Sequence, residues 1–293
     1  MNPKPPKVQP IRNPTLFEME KLEETEKLAS SPTVERPYSL PGILLGTSAF
    51  TANGWGGSFY PRGMQSRDFL SYYATQFAAV EVDSTFYGCP SARTVNNWCA
   101  QTPEDFIFSL KIPQVITHEK ALVDCDSEFE EFVKTMDILG PKLGPMVFQF
   151  PFFDRWRFPK QDSFLGVLTP FLKRLPADHK FVVEIRNKTW LDARFREYNV
   201  ALALTDTSFM PRPWEMKEKF DPITADFAYV RWLGDRKGIE EQTTTWDRTV
   251  IDRTGDLKNW VEVFKSLVSN TKVLEIFAYS NNHYQGHGHI TPD

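Results

Sequence analysis

The chain has 293 residues, 41% hydrophobic and 25% charged, which is ordinary globular usage and enough length to bury a large core. Its formal net charge of −4 argues against a general nucleic-acid binder, while leaving room for a local basic cleft. The three cysteines, Cys89, Cys99 and Cys125, include no CxxC pair, which excludes a disulfide scaffold and a cysteine zinc site and fits a reducing, cytoplasmic setting.

The opening, MNPKPPKVQP, is polar and lacks the apolar core of a secretory signal. No apolar run reaches the roughly 18 residues of a membrane-spanning helix, so no membrane association is expected. Eight of the 22 prolines fall in residues 1–41, where fixed φ angles and missing donors resist regular structure. Between them, Leu16, Met19, Leu22 and Leu28 recur at helical spacing, which predicts a short amphipathic helix over 15–29. Residues 1–41 are read as a proline-rich extension carrying this helix, packed on the main domain, and residues 42–293 as the main domain.

From residue 42 strand-like and helix-like runs alternate. The predicted strands are 43–48, 78–83, 106–111, 145–150, 180–185, 200–205, 227–232 and 274–279, short and nearly continuous in apolar residues, as suits strands buried on both faces. The predicted helices are 66–77 capped by Ser66, 91–101 capped by Ser91, 127–139 with a Ser127/Glu130 capping box, 163–175 and 255–270. Repeated strand–helix alternation implies parallel strands with helices outside. Eight strands predict an α/β fold of the (β/α)8 TIM-barrel-like kind. A doubly wound open sheet competes, but the turn after the first strand, GTSAFTANGWGG, holds no G-x-G-x-x-G. Only 14 residues follow the last predicted strand, too few for a full eighth helix with its loop, so either the chain is truncated or another element covers that face, the N-terminal helix being a candidate.

In such a barrel the carboxyl ends of the strands share one mouth. Charged residues that interrupt apolar strands there must be paired or functional. The candidates are Glu81 and Asp83; Lys111 with His118 beyond it; Gln149; Glu184 and Arg186 with Trp190 beyond; Asp206; Arg231; and Asn281, Asn282 and His283. Glu81 and Glu184 form a possible acid–base pair, of the kind spaced roughly 5–9.5 Å apart in glycosidases. The alternative is ion pairing with Lys111, Arg186 and Arg231. Those cations would clamp an anion or belong to the same internal network. His283, His287 and His289 suit a metal or a solvated loop, and Glu81, Asp83 and Asp206 suit Mg²⁺. Trp55 and Trp190 are candidate stacking faces in the pocket, against a packing role. No G-x-S-x-G turn or P-loop is present.

The runs GTSAF, VEVDSTFYGCPS, FIFSLKIPQVITH, VFQFP, VVEIRNKTW, YVRWLG and YSNNHYQGHG resemble, in order over about residues 43–289, the YecE-like family, domain of unknown function 72. The resemblance implies a TIM-barrel-like fold and carries no established activity. Carried over residue by residue, the family-like polar set is Glu81, Thr85, Tyr87, Lys111, His118, Gln149, Glu184, Arg186, Trp190, Arg231 and Asn282. Two positions depart from the family pattern: Asp83 stands for Asn, and Leu233 for His.

The expectation is an enzyme acting on a small anionic substrate bearing phosphate or carboxylate, in a sugar-like frame. Glu81, Glu184 and His118 would be catalytic, and Lys111, Gln149, Arg186, Trp190, Arg231, Asn282 and Tyr87 would bind substrate. No cofactor is predicted, with a divalent metal left open. The competing readings are a metal-assisted phosphodiester hydrolase on nucleic acid, a glycoside hydrolase, and a ligand-binding barrel without turnover.

Overall fold

The apolar runs form parallel strands in the computed structural model, which describes residues 36–286. They are β1 (Ile43–Thr47), β2 (Ala79–Val82), β3 (Ile107–Lys111), β4 (Leu143–Gln149), β5 (Phe181–Glu184), β6 (Ala201–Leu202), β7 (Leu204–Thr207), β8 (Phe227–Gly234) and β9 (Glu275–Ser280). The expected sixth strand is β6 and β7 together, interrupted at Ala203. Its first part pairs with β5 and its second with β8.

The ladders run β2-β3-β4-β5-β6 and β7-β8-β9-β1. Within each ladder consecutive strands pair, and the last strand returns to the first, in register from Ile43 opposite Ile276 to Thr47 opposite Ser280. A doubly wound sheet would instead reverse its strand order in the middle. The fold is therefore α/β and TIM-barrel-like.

Between β1 and β2 side chains replace the ladder. The Tyr73 hydroxyl accepts from Thr47 N at 2.8 Å and donates to Ala79 O at 3.2 Å, bridging the two strands. Their backbones come so close that a Cβ on Gly46 would lie 2.1 Å from Ala79 O.

The outer layer is uneven. The described helices of eight residues or more are α1 (Phe69–Gln76), α2 (Ala92–Ala100), α3 (Asp126–Met136), α4 (Gln161–Leu172) and α5 (Thr254–Val268), and a short helix, Arg236–Glu240, follows β8. Only short helical turns, Ala193–Tyr198 and Pro213–Met216, serve the next two connections. Ser91 caps α2 as expected, accepting from Thr94 N. Ser66 instead opens a separate 3-10 turn, Ser66–Asp68, ahead of α1. The Ser127 capping box does not form: α3 begins one residue earlier, and Ser127 Oγ turns to Glu128, which Lys120 engages. Among the described residues β9 is followed only by the 3-10 turn Asn282–Tyr284.

The extension's predicted helix, His287 and His289 lie outside the described residues. Residues 36–41, assigned to the extension from sequence, are fastened to the barrel. Arg36 forms a two-pronged pair with Asp105 at 2.7 and 2.8 Å, and Tyr38 stacks on Phe77 at 4.7 Å.

The two-residue period of a strand sorts its side chains into two cores. Ala79, Val147, Val182, Ala201, Ala203, Phe227, Tyr229, Phe277 and Tyr279 fill the barrel interior. The alternate positions, such as Val80, Phe108, Phe148, Val183 and Val230, pack against the helices.

Gly46→Ala should lower stability by about 1–3 kcal/mol, because the added methyl must force the seam apart. Gly166→Ala, in α4 with open space around its Cα, should be neutral or stabilising. Urea unfolding midpoints compare the two, and an unchanged midpoint for Gly46→Ala would show that the seam is looser than its backbone approach indicates.

Candidate active site

Continuing the inward parity two residues further along each strand reaches the mouth. From Ala79 it leads to Glu81, from Val147 to Gln149, from Val182 to Glu184, and from Tyr229 to Arg231. Three of the four are charged, and Glu81, Glu184 and Arg231 are only 0%, 3% and 2% exposed. They survive burial because they neutralise one another. Arg231 donates to Glu81 Oε1 through Nε at 3.1 Å and Nη2 at 2.6 Å, and to Glu184 Oε2 through Nη1. Its Nη1 also reaches Gln149 Oε1 at 3.3 Å and its Nη2 Asp83 Oδ1 at 3.4 Å. Tyr229 closes the network, donating to Glu81 Oε2 at 2.7 Å.

This geometry separates the two glutamates electrically. Burial pushes the Glu81 carboxyl above its usual range, and Asp83 adds to the rise against the pull of Arg231. Burial acts on Glu184 too, but Arg231, Arg186 and Lys111 outweigh it and hold that carboxyl below the usual range. Arg231 is locked as a cation, the opposing effect of burial being overcome by Glu81, Glu184 and Asp83.

Above this floor opens a cavity of about 690 Å³, within the range of small-molecule sites. Lys111, Gln149, Arg186 and Arg231 line it, as do His118 and Tyr87. Five cationic residues, with Arg236 and Lys237 completing the set, face it against two carboxylates, Asp83 and Asp235. Lys111 sits 4.0 Å from Asp83 and 4.1 Å above the ring of Phe86, and burial pulls its pKa down. Arg186 lies 3.4 Å from Glu184. Thr85 ties the loop carrying Phe86 and Tyr87 to β3, donating to Lys111 O at 2.6 Å.

His118 sits on a π-helical turn, Val115–Glu119. Its Nδ1 is 2.9 Å from Thr117 Oγ1, and its ring meets Phe86 edge to face. Burial, with Lys111 and Arg186 nearby, pulls its pKa from 6.5 down to about 4. Ala121, Leu122 and Asp124, just beyond it, adopt positive φ. A π-turn and a run of left-handed residues are each uncommon and concentrate at functional sites.

Other candidates lie elsewhere. Trp190 is not a stacking face in the mouth: it is buried between Phe164 and Phe153, at 5.5 and 6.4 Å, because its turn folds back toward α4. Trp55 is likewise interior, donating to Asn282 Oδ1 at 3.2 Å. Asn282 thus supports the wall, whereas its neighbours Asn281 and His283 line the cavity. His283 is engaged by Asn281 and by Glu240 at 3.1 Å. Asp206 has outward parity and accepts from Trp260 Nε1 at 2.7 Å and Tyr284 Oη at 3.1 Å. No group of three or more His, Cys, Asp or Glu side chains among the described residues is arranged to hold a metal ion.

Tyr229, Phe209, Arg236 and Lys237 were missed from sequence. Tyr229 was legible as the residue two before Arg231 on one strand face. The other three follow the ends of β7 and β8, but nothing local distinguishes them from solvent-facing loop residues.

The family described as a protein of unknown function, DUF72, matches residues 44–291. The chain belongs to the DUF72 family. Among curated relatives it is 36% identical over 118 residues to the UPF0759 protein YecE of Escherichia coli K12, covering 40% of this chain and 41% of YecE. It is 31% identical over 156 residues to the UPF0759 protein YunF of Bacillus subtilis, covering 50% and 54%. The matched stretch thus spans about half or less of each of these relatives. The DUF72 crystal structure of TM1631 from Thermotoga maritima superposes with a TM-score of 0.65 at 25% identity, covering 84% of this chain and 94% of that one. A DUF72 protein from Enterococcus faecalis, EF0366, gives 0.63 at 19% identity, covering 84% and 91%, a likeness of fold. Among the described residues of this DUF72 chain, no helix is long and apolar enough to cross a membrane.

Arg231→Ala should cost about 3–5 kcal/mol, since it leaves two buried carboxylates without their cation. Replacing Arg231, Glu81 and Glu184 together by Met, Leu and Leu should cost less than Arg231→Ala alone. Chemical denaturation of both variants measures the difference, and the opposite ranking would show that the charges do not act as one unit. His118 supplies a pH signature. Its folded pKa is about 4 against 6.5 unfolded, so the unfolded chain binds the proton first and stability falls as pH drops through that window. His118→Gln should flatten that part of the stability-versus-pH curve.

Proposed function

We propose that the mouth binds a small substrate bearing a phosphate or carboxylate, and that His118 exchanges its proton. The observation that carries this reading is the convergence of Lys111, Arg186 and His118 at one cavity wall, where burial and the two cations together hold the imidazole neutral. An anion drawn in by the two cations offsets the charge that holds the imidazole neutral, so His118 can take up a proton from the bound group once it is in place. Arg231 is the weaker choice of clamp, since both glutamates already occupy its guanidinium. For the same reason Glu81 and Glu184 are supports of the floor in this reading, rather than an acid–base pair acting on a glycosidic bond.

A second reading, a ligand-binding barrel without turnover, draws on the same fact: the two buried glutamates of the floor are committed to structure. The cations serve both readings, so binding is tested first. Phosphate at about 100 times its Kd should stabilise the fold by about 2.7 kcal/mol, seen as a rise in melting temperature. Lys111→Ala and Arg186→Ala should each abolish most of that rise. A rise that persists in both variants would place the anion elsewhere. Turnover that disappears in His118→Gln while the phosphate-induced rise remains would favour the enzyme over the binding barrel.

A further inference from the structure

The exposed aromatic side chains are segregated. Among the described residues four stand largely in solvent: Tyr87 (78%), Phe152 (69%), Trp156 (83%) and Phe209 (53%). Each lies on a loop leaving the carboxyl end of a strand, Tyr87 after β2, Phe152 and Trp156 after β4, and Phe209 after β7. Of the exposed aliphatic side chains among the described residues, Val123 follows β3, but the other four lie elsewhere, at Leu40 before β1, Val261 and Val268 on α5, and Leu274 before β9. Single exposed apolar residues are ordinary, but sorting by chemistry onto the mouth is not expected of chance exposure.

Two of the four, Tyr87 and Phe209, line the same cavity as Lys111 and Arg186. They differ from Phe86 beside them, which is covered by Lys111 at 4.1 Å and by His118. Trp156 belongs to a loop braced against the His118 turn, where Arg157 donates to Glu119 O and Lys120 O, each at 3.1 Å. The exposed side chains of Tyr87 and Phe209, beside these cations, present stacking surface for a flat ring joined to an anion.

We infer that the substrate carries an aromatic heterocycle on its anionic group, as a nucleoside monophosphate does. Tyr87 and Phe209 supply stacking surface for the ring, and Lys111 and Arg186 hold the phosphate. The inference rests on the anion-binding reading and adds the ring. A mononucleotide suits a cavity of about 690 Å³. A long polyanion suits it less, because the chain is net acidic and Asp83 and Asp235 also face the opening.

The test is calorimetric titration of the full chain with adenosine 5′-monophosphate and with ribose 5-phosphate, which differ by the base alone. The nucleotide should bind about tenfold more tightly, the scale of one stacked base. Tyr87→Ala or Phe209→Ala should erase most of that margin and leave ribose 5-phosphate binding unchanged, while Tyr87→Phe keeps it. Both positions are exposed, so the variants should fold as the parent does, which a melting curve verifies. Equal affinity of the two ligands would overturn the ring assignment while leaving the anion reading intact. Binding of neither would overturn both. Strong preference for a thymidine oligonucleotide over both ligands would overturn the small-molecule assignment.

Discussion

A guanidinium cannot be left dry inside a protein, and the interior of this barrel contains one. Arg231 belongs to the sheet formed by β7, β8, β9 and β1, while Glu81, Gln149 and Glu184 belong to the sheet formed by β2 to β6. The charge that one half cannot tolerate is neutralised only by the other half. Tyr229 to Glu81 crosses between the sheets in the same way, as does the 2.7 Å contact between Ser109 and Tyr279. These links stand inside a ring whose ladder is missing between β1 and β2 and switches partners at Ala203. Desolvated pairs of this kind add little net stability over an apolar core, yet they penalise any arrangement that separates them. The polar network therefore fixes the halves against each other more than it strengthens either.

The same network divides labour among the charges of the mouth. The guanidinium of Arg231 is engaged by Glu81, Glu184, Gln149 and Asp83, so it forms the floor of the cavity. Lys111 and Arg186 each have a carboxylate near them, at 4.0 and 3.4 Å, but both still face the cavity. His118 comes from a turn outside the barrel wall, brought in by a departure from regular helix. Strands thus set the charge balance, and an irregular loop supplies the group with the altered proton affinity. This matches the general pattern in which a rigid scaffold carries its chemistry on the segments between elements.

The strands were legible because they are apolar runs of uniform length, and their order followed from the rhythm of the chain. The residues gathered at the mouth were legible for the same reason, since a charged side chain ending an apolar strand has few places to go. What that reasoning left open was which residues were spent on one another. Inward parity, applied to Tyr229 and Arg231 or to Val182 and Glu184, separates floor from surroundings, and position at a strand end does not. Trp190 shows the other limit. It follows a strand end in sequence, but its turn directs it back among Phe153 and Phe164, and no local pattern encodes that reversal. The split at Ala203 was hidden as well, because changing partners within a strand leaves its apolar run unbroken.

The pairing of β1 with β9 has a consequence for how the chain is made. During synthesis from the N-terminus, β1 emerges first among the described strands, but its ladder partner among them is β9, the last of them in chain order. Until then its remaining close neighbour is β2, reached through Gly46 and the Tyr73 hydroxyl and not through a strand ladder. A nascent chain can assemble β2 to β6 as it grows, because each partner follows its neighbour directly. Those strands carry Glu81 and Glu184 on an inner face that awaits Arg231. Neutralisation of the interior therefore waits for β8 and closure of the ring for β9, and a chaperone that shields such a half-built barrel would meet a surface that is apolar at one end and charged at the other.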